Sequence, residues 1–176
     1  DENGTIYYGN NQLYAVNPDG STKWIFEPQD SLNTIHGPVI GDNGDIYFTG
    51  VLDKDASNTY EAISKLYALD SDGNKKWSFE AYGMKSAPAI GDEGSIYLGY
   101  ETLDSESILH SNLAKFNPAD GTKTLLYSLS HKSSGWESIE GLAIAEDGTI
   151  YAGGSNLFVI NPDGTLKGKL YKENGT

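Results

Sequence analysis

The stretch Asn17–Trp24 reads NPDGSTKW, and Asp70–Trp77 reads DSDGNKKW. Each is a tight turn that reaches a tryptophan four residues after its glycine. Weaker copies follow at Asn117–Gly121 (NPADG) and Asn161–Gly164 (NPDG). In NPDG the proline presets the first central residue and the glycine takes the positive φ that follows. Such a turn joins neighbouring antiparallel strands. Its recurrence marks an internal repeat, which sets the architecture before any single element is assigned.

Working outward, four segments precede these turns on one plan: GTIYYG from Gly4, GDIYFTG from Gly44, GSIYLG from Gly94 and GTIYAG from Gly148. A second apolar run follows each: LYAV from Leu13, LYAL from Leu66, LAKF from Leu113 and LFVI from Leu157. After the turn comes a last strand, TKWIF, KKWSF, KTLLYSL or LKGKL. Three units also carry a strand in front: GPVIG from Gly37, APAIG from Ala87 and GLAIA from Gly141. With the strands of a unit lettered A to D, A–B turns such as Asp42-Asn43-Gly44 and Glu146-Asp147-Gly148 predict antiparallel A–B pairs. The units are expected at 1–28, 36–82, 86–130 and 140–172, the first lacking its A strand.

Runs such as LYAV are apolar on both faces, so each small sheet needs cover on both sides. Radial stacking of four-stranded antiparallel blades supplies it, and the expected fold is all-β, a β-propeller of four blades. Trp24 and Trp77 are expected between adjacent blades, with Gly20 and Gly73 shaping the turns before the strands that carry them. A ligand-stacking role is the alternative. The third and fourth units replace the tryptophan, by Leu125 or Leu126 and by Gly168, which predicts looser packing there.

The pattern P-A-I-x-D-x-G-x-I-Y-x-G, continued by L-Y-A-L-D-x-D-G-x-x-x-W, resembles the tryptophan-docking blade of the quinoprotein-like (PQQ-like repeat) propellers. That superfamily includes pyrroloquinoline-quinone alcohol dehydrogenases and non-catalytic relatives such as outer-membrane assembly lipoproteins. The resemblance spans nearly the whole chain and implies a piece of a larger ring of six to eight blades. It does not carry over a quinone site. The sequence has no adjacent cysteine pair, no arginine to accompany the quinone and no clear catalytic aspartate.

Composition narrows the function classes. The 176 residues contain no cysteine, so disulfides, thiolate metal sites and cysteine nucleophiles are excluded. A net charge of -13 argues against nucleic acid or an anionic membrane as partner. No apolar run reaches membrane-spanning length, so no membrane insertion is expected. All basic residues are lysine, which removes bidentate guanidinium clamps. The chain starts at Asp1 without an initiator methionine or leader, as a processed or excised chain would. An extracellular or cell-envelope location is expected.

The A–B and C–D turns share one end of the units, while the variable B–C loops and D–A connections share the other. Irregular loops on a rigid frame are where binding resides. Candidate ligand-binding residues there are Trp136, His36, Glu140, Tyr82 and Tyr100. Trp136, in SHKSSGWESIE, is either a stacking platform for a sugar or peptide or a plug over its own loop. His36, Ser86 and Glu140 occupy equivalent A-strand positions, where they line a wet channel or contribute to a metal site. Asp53, Asp55 and Glu61 alternate as in calcium loops, but the bend glycine is missing. That segment is a weak calcium candidate or a solvated acidic loop, and no other cofactor is expected. His110 and His131 are read as surface residues without partners.

The expected function is a non-catalytic binding or scaffold module for a protein or carbohydrate ligand. The alternative is a fragment of a propeller enzyme, quinone-dependent or polysaccharide-active. The missing first A strand is not matched by an equivalent after the fourth unit, which points to a homodimer or to the remaining blades of a larger ring.

Overall fold

The computed structural model describes residues 1–29, 32–52, 63–131 and 137–171. Within them the chain is all-β, with one 3-10 turn at Asp92–Gly94. No helix among the described residues is long and apolar enough to cross a membrane.

Unit one is the three-stranded meander β1 (Ile6–Gly9), β2 (Leu13–Val16) and β3 (Thr22–Phe26). Unit two comprises β4 (Leu32–Ile40), β5 (Ile46–Leu52), β6 (Ile63–Leu69) and β7 (Lys75–Tyr82). Unit three comprises β8 (Ala89–Ile90), β9 (Ile96–Leu103), β10 (Leu109–Phe116) and β11 (Lys123–Ser130). Unit four is β12 (Ile139–Ile144), β13 (Ile150–Gly154), β14 (Leu157–Ile160) and β15 (Leu166–Leu170). Successive strands within each unit pair antiparallel.

Two details differ from the sequence expectation. Strand β4 reaches back to Leu32, before the expected start at 36, because Leu32 and Ile35 are buried beside Phe48 and Leu52. Units two and three are not separate sheets. Tyr82 of β7 pairs with Glu101 of β9, joining them into one eight-stranded sheet. Strand β8 has only two residues, pairing Ala89 and Ile90 with Tyr97 and Ile96, and the end of β7 pairs with β9 further along at Glu101.

Alternation along the strands decides which unit each side chain faces. In β5, Ile46 and Phe48 pack toward unit one with Leu13, Trp24 and Phe26, whereas Tyr47 packs toward unit three with Leu98 and Phe116. Both faces of β5 are therefore buried, as the doubly apolar runs require.

The tryptophans dock as expected between units, but the glycine under each belongs to the next unit and not to its own turn. A Cβ on Gly73 would lie 2.8 Å from the Trp24 ring, and one on Gly121 2.8 Å from the Trp77 ring. Trp24 Nε1 donates to the Ser71 carbonyl at 3.0 Å, and Trp77 Nε1 to the Pro118 carbonyl at 2.9 Å. Each of these glycines therefore meets two demands. Its positive φ closes the turn (+85° at Gly73, +73° at Gly121), and its missing Cβ admits the indole. Gly20 has the same backbone, with φ of +86°, but nothing lies within 4 Å of its Cβ position.

The third joint works without an indole. A bulge in β11 skips Leu126, whose backbone occupies the seat over Gly164, and its side chain joins the cluster with unit four while Leu125 is exposed. Leu113, Ile150, Phe158 and Ile160 are fully buried at this joint.

Trp77→Ala should cost about 3–5 kcal/mol through lost contacts and a cavity. Gly20→Ala should cost about 1–2 kcal/mol, from the left-handed backbone alone. Gly121→Ala should cost more, because the added methyl also displaces the Trp77 ring. Denaturant unfolding of the three variants checks this, and equal losses at Gly20 and Gly121 would remove the seat assignment.

Candidate functional site

Aspartates bond their own backbone at both ends of the units, and at the variable end Asp104 Oδ1 accepts from the Glu106 and Ile108 amides at 2.8 and 2.9 Å. At the turn end, short side chains bond their own backbone. Asp19 Oδ1 accepts from the Ser21 amide at 2.9 Å, and Asp70 Oδ1 from the Asn74 amide at 2.8 Å. Asp163 repeats this with the Thr165 amide at 2.9 Å. Side-chain hydrogen bonds from Ser21, Asn74 and Thr165 are the main reason Asp19, Asp70 and Asp163 sit below the ordinary carboxylate value. For Asp120 and Asp147 the backbone amides of Thr122 and Thr149 contribute most. These acids are engaged in turn geometry.

At the other end the D–A connection from Gly83 to Ser86 draws three units together. Thr49 of unit two donates to the Ser86 carbonyl at 2.7 Å. Lys85 Nζ lies 3.4 Å from Glu101 Oε1 of unit three and 3.5 Å from Glu140 Oε1 of unit four. Glu101 is 3% exposed, and its Oε2 has no hydrogen-bond partner among the described residues. Gly83 makes room for it, because a Cβ there would sit 2.4 Å from Oε2, and its φ of +59° favours glycine in any case. One ammonium thus holds two carboxylates, one buried and one half exposed.

The expected site residues distribute as follows. His36 is half-buried and hydrogen-bonded to the backbone of Met84; burial depresses its pKa and that bond partly offsets the effect. Glu140 accepts from Ser138 Oγ at 2.9 Å and pairs with Lys85, so His36 and Glu140 bracket the Met84-Lys85 dipeptide rather than a shared ion. The Ser86 hydroxyl is buried without a partner among the described residues. Among the described residues no group of three or more His, Asp or Glu is placed to hold a metal. Tyr82 is half-buried beside this cluster through its pairing with Glu101.

Tyr100 is not offered to a ligand. It is buried, packs edge-on to Phe79 at 5.3 Å, and its hydroxyl accepts from Lys123 at 3.0 Å. His110 and His131 are not isolated either: His110 Nε2 lies 3.0 Å from Asp104 Oδ2, and His131 Nε2 lies 3.0 Å from Ser111 Oγ. Trp136 and the calcium candidates Asp53, Asp55 and Glu61 lie outside the described residues.

Sequence reasoning missed Lys85 and Glu101. A signal existed for the second: Glu101 continues the B strand IYLGYE, where the equivalent positions hold Val51 and Ser155. It also missed Glu137, which is buried at the start of unit four and bound by Lys169 and by Asn156 Nδ2.

No protein family matched the chain, and no curated protein did. Among solved structures, it is similar to a Bacteroides caccae protein of unknown function at 9% identity and a TM-score of 0.42, over 97% of this chain and 78% of the other. It is also similar to a candidate 6-phosphogluconolactonase from Bacteroides uniformis at 13% identity and a TM-score of 0.41, over 95% and 67%. Likeness at this level transfers neither architecture nor activity.

Two measurements follow from the electrostatics. A group whose folded pKa is depressed contributes stability above its unfolded value, and that stability is lost as pH falls through the folded value when the group is an acid. The turn aspartates therefore place a decline below pH 3.8. For His36 the depressed value means that the folded chain binds its proton less readily than the unfolded chain, so stability also falls as pH drops below 6.5. Denaturant midpoints across pH should show a shallow decline and then a steeper one, with His36→Gln removing only the first. Lys85→Met should cost about 1–3 kcal/mol by leaving Glu101 buried without its counter-charge, and adding Glu101→Gln should recover part of that loss. No recovery would mean that Lys85 does not serve Glu101.

Proposed function

We propose that the chain is a non-catalytic binding and scaffold module that recognises a carbohydrate or protein ligand through its variable end. The observation that carries this reading is the Lys85 cluster. It sits where three units meet, holds two carboxylates on one ammonium, and leaves Glu140 half exposed. Such a group accepts hydrogen bonds from sugar hydroxyls or from a cationic side chain of a partner. At the opposite end Asp19, Asp70, Asp120, Asp147 and Asp163 are engaged by their own turns.

The architecture proposed with this function is a run of propeller blades. Four short antiparallel meanders, joined by side chains of one resting on the turn of the next, are what radial blade stacking requires. The ring proposed with these units has six to eight blades. Action outside the cytoplasm, in the cell envelope or beyond it, is part of the same reading.

The shared lysine also favours a second reading. Two carboxylates near one another are the equipment of a polysaccharide-active enzyme. Release of reducing ends from polysaccharides, abolished in Glu101→Gln, would establish that reading in place of the first. Quinone chemistry is not expected, and isothermal titration with pyrroloquinoline quinone and calcium should show no micromolar binding.

An array of defined glycans, read with the native chain and two variants, tests the binding proposal. Glu140→Ala should weaken a captured glycan at least about tenfold, roughly 1.4 kcal/mol, whereas Asp19→Ala at the turn end should leave it unchanged. Equal binding by all three proteins would refute recognition at the Lys85 cluster.

A further inference from the structure

Unit three departs from the repeat at the place where units one and two keep their tryptophans. In those units the tryptophan pairs across the ladder with a fully buried alanine, Trp24 with Ala15 and Trp77 with Ala68. The equivalent position of β10 holds Lys115. The bulge of β11 lies further from the turn than that of β7, so Lys115 pairs with Thr124. Paired residues share a face, and a threonine therefore stands where the repeat places an indole.

The result is an open cleft of about 470 Å³ at the turn end of unit three, lined by Ser95, Lys115, Asn117 and Thr124, with Glu93 beside them. Its polar groups are not used by the fold. The Lys115 ammonium lies 6.0 Å from the Tyr97 ring and forms no ion pair among the described residues. Ser95 is 5% exposed, and neither its hydroxyl nor that of Thr124 has a hydrogen-bond partner among the described residues. Asn117 Oδ1 accepts from the Ala119 amide at 2.9 Å, while its Nδ2 is uncommitted among the described residues. In units two and four the counterparts of Ser95 are engaged, Asp45 by Lys76 and Thr149 by Lys167. Glu93 holds a left-handed backbone, φ +58°, which its counterparts Asn43 and Asp147 do not share.

We infer that this cleft is a binding site for an acidic sugar, with the sugar carboxylate on Lys115 and sugar hydroxyls on Glu93 and Asn117. The ammonium, the amide and two hydroxyls all donate, which selects an oxyanion. One lysine supplies a point charge and no bidentate clamp, so it matches a single carboxylate. Glu93 accepts hydroxyls and repels a doubly charged anion, which separates an acidic sugar from phosphate. An apolar ligand would strip these groups of water and return no hydrogen bonds. The volume falls in the range of small-molecule sites, roughly 300–1,000 Å³. This site lies at the opposite end of the units from the Lys85 cluster and stands independently of the recognition proposed there.

NMR titration of the native chain with digalacturonate, neutral galactobiose and inorganic phosphate tests it. Digalacturonate should shift the backbone amides of Ser95, Lys115 and Thr124 saturably, and bind at least about tenfold more tightly than the other two. Lys115→Met keeps an apolar stem beside Tyr97 and should weaken that binding at least about tenfold. Glu140→Ala, at the other end, should leave it unchanged. Glu93→Gly should narrow the preference over phosphate and also raise the denaturant midpoint, because glycine adopts this backbone freely. The absence of saturable shifts, or binding untouched by Lys115→Met, would overturn the site. Phosphate bound as tightly as digalacturonate by the native chain would overturn the acidic sugar.

Discussion

An indole resting on a glycine of the next unit's turn is the contact around which this molecule is organised. Trp24 and Trp77 each place an aromatic face where any other residue would carry a Cβ, and each donates its N–H to a carbonyl of the same turn. The hydrogen bond fixes the direction of the ring and the absent Cβ fixes its distance. A three- or four-stranded meander is too thin to hold a core of its own, so every apolar face must be closed by a neighbour. Docking sets how that neighbour sits. Tyr47 and Phe116 then pack about Trp77 with ring centroids 6.0 and 6.3 Å away.

The sequence makes the strands legible and leaves the joints obscure, for a physical reason. Turn chemistry and alternation are local, so strands such as LYAL and the positive-φ glycines can be read within a few residues. A docking contact spans a whole unit: Trp77 bonds Pro118 across 41 positions. Nothing near Gly73 says that its seat serves the tryptophan before it. The same limit hid the choice between Leu125 and Leu126, which a bulge in β11 settles, and the burial of Tyr100, whose loop-like sequence continues as strand. At the candidate site, equivalence of A-strand positions located His36 and Glu140. It could not supply Lys85, which has no counterpart in the repeat, or show that the two residues bracket a connection instead of meeting.

The bulges of the D strands tie the charged residues to this frame. In units one, two and four the ladder skips Lys23, Lys76 and Lys167. Lys76 reaches Asp45 at the foot of β5, and Lys167 reaches the hydroxyl of Thr149 at the equivalent place in β13. Asp45 in turn lies beside the Tyr47 hydroxyl, and burial, more than this neighbour, raises the pKa of that tyrosine. Unit three puts its bulge elsewhere, and it is also the unit whose D strand meets the next without a tryptophan. Moving one extra residue along a strand therefore changes both the ion pair and the docking group, because it reverses which face the following side chains occupy.

The two ends contribute to stability in different ways. The turn end sets positive φ, seats the docking groups and binds its own carboxylates, so substitutions there act first on stability. The opposite end seats no indole, but its connection around Lys85 bonds units two, three and four. Lys85 illustrates the difference. It follows the left-handed Gly83 and the buried Met84, which anchor the connection, yet its own side chain lies between units and holds Glu101 and Glu140 without entering any core cluster. The lysine between two carboxylates is a polar feature that the other units do not repeat, and the proposed recognition at that end rests on it.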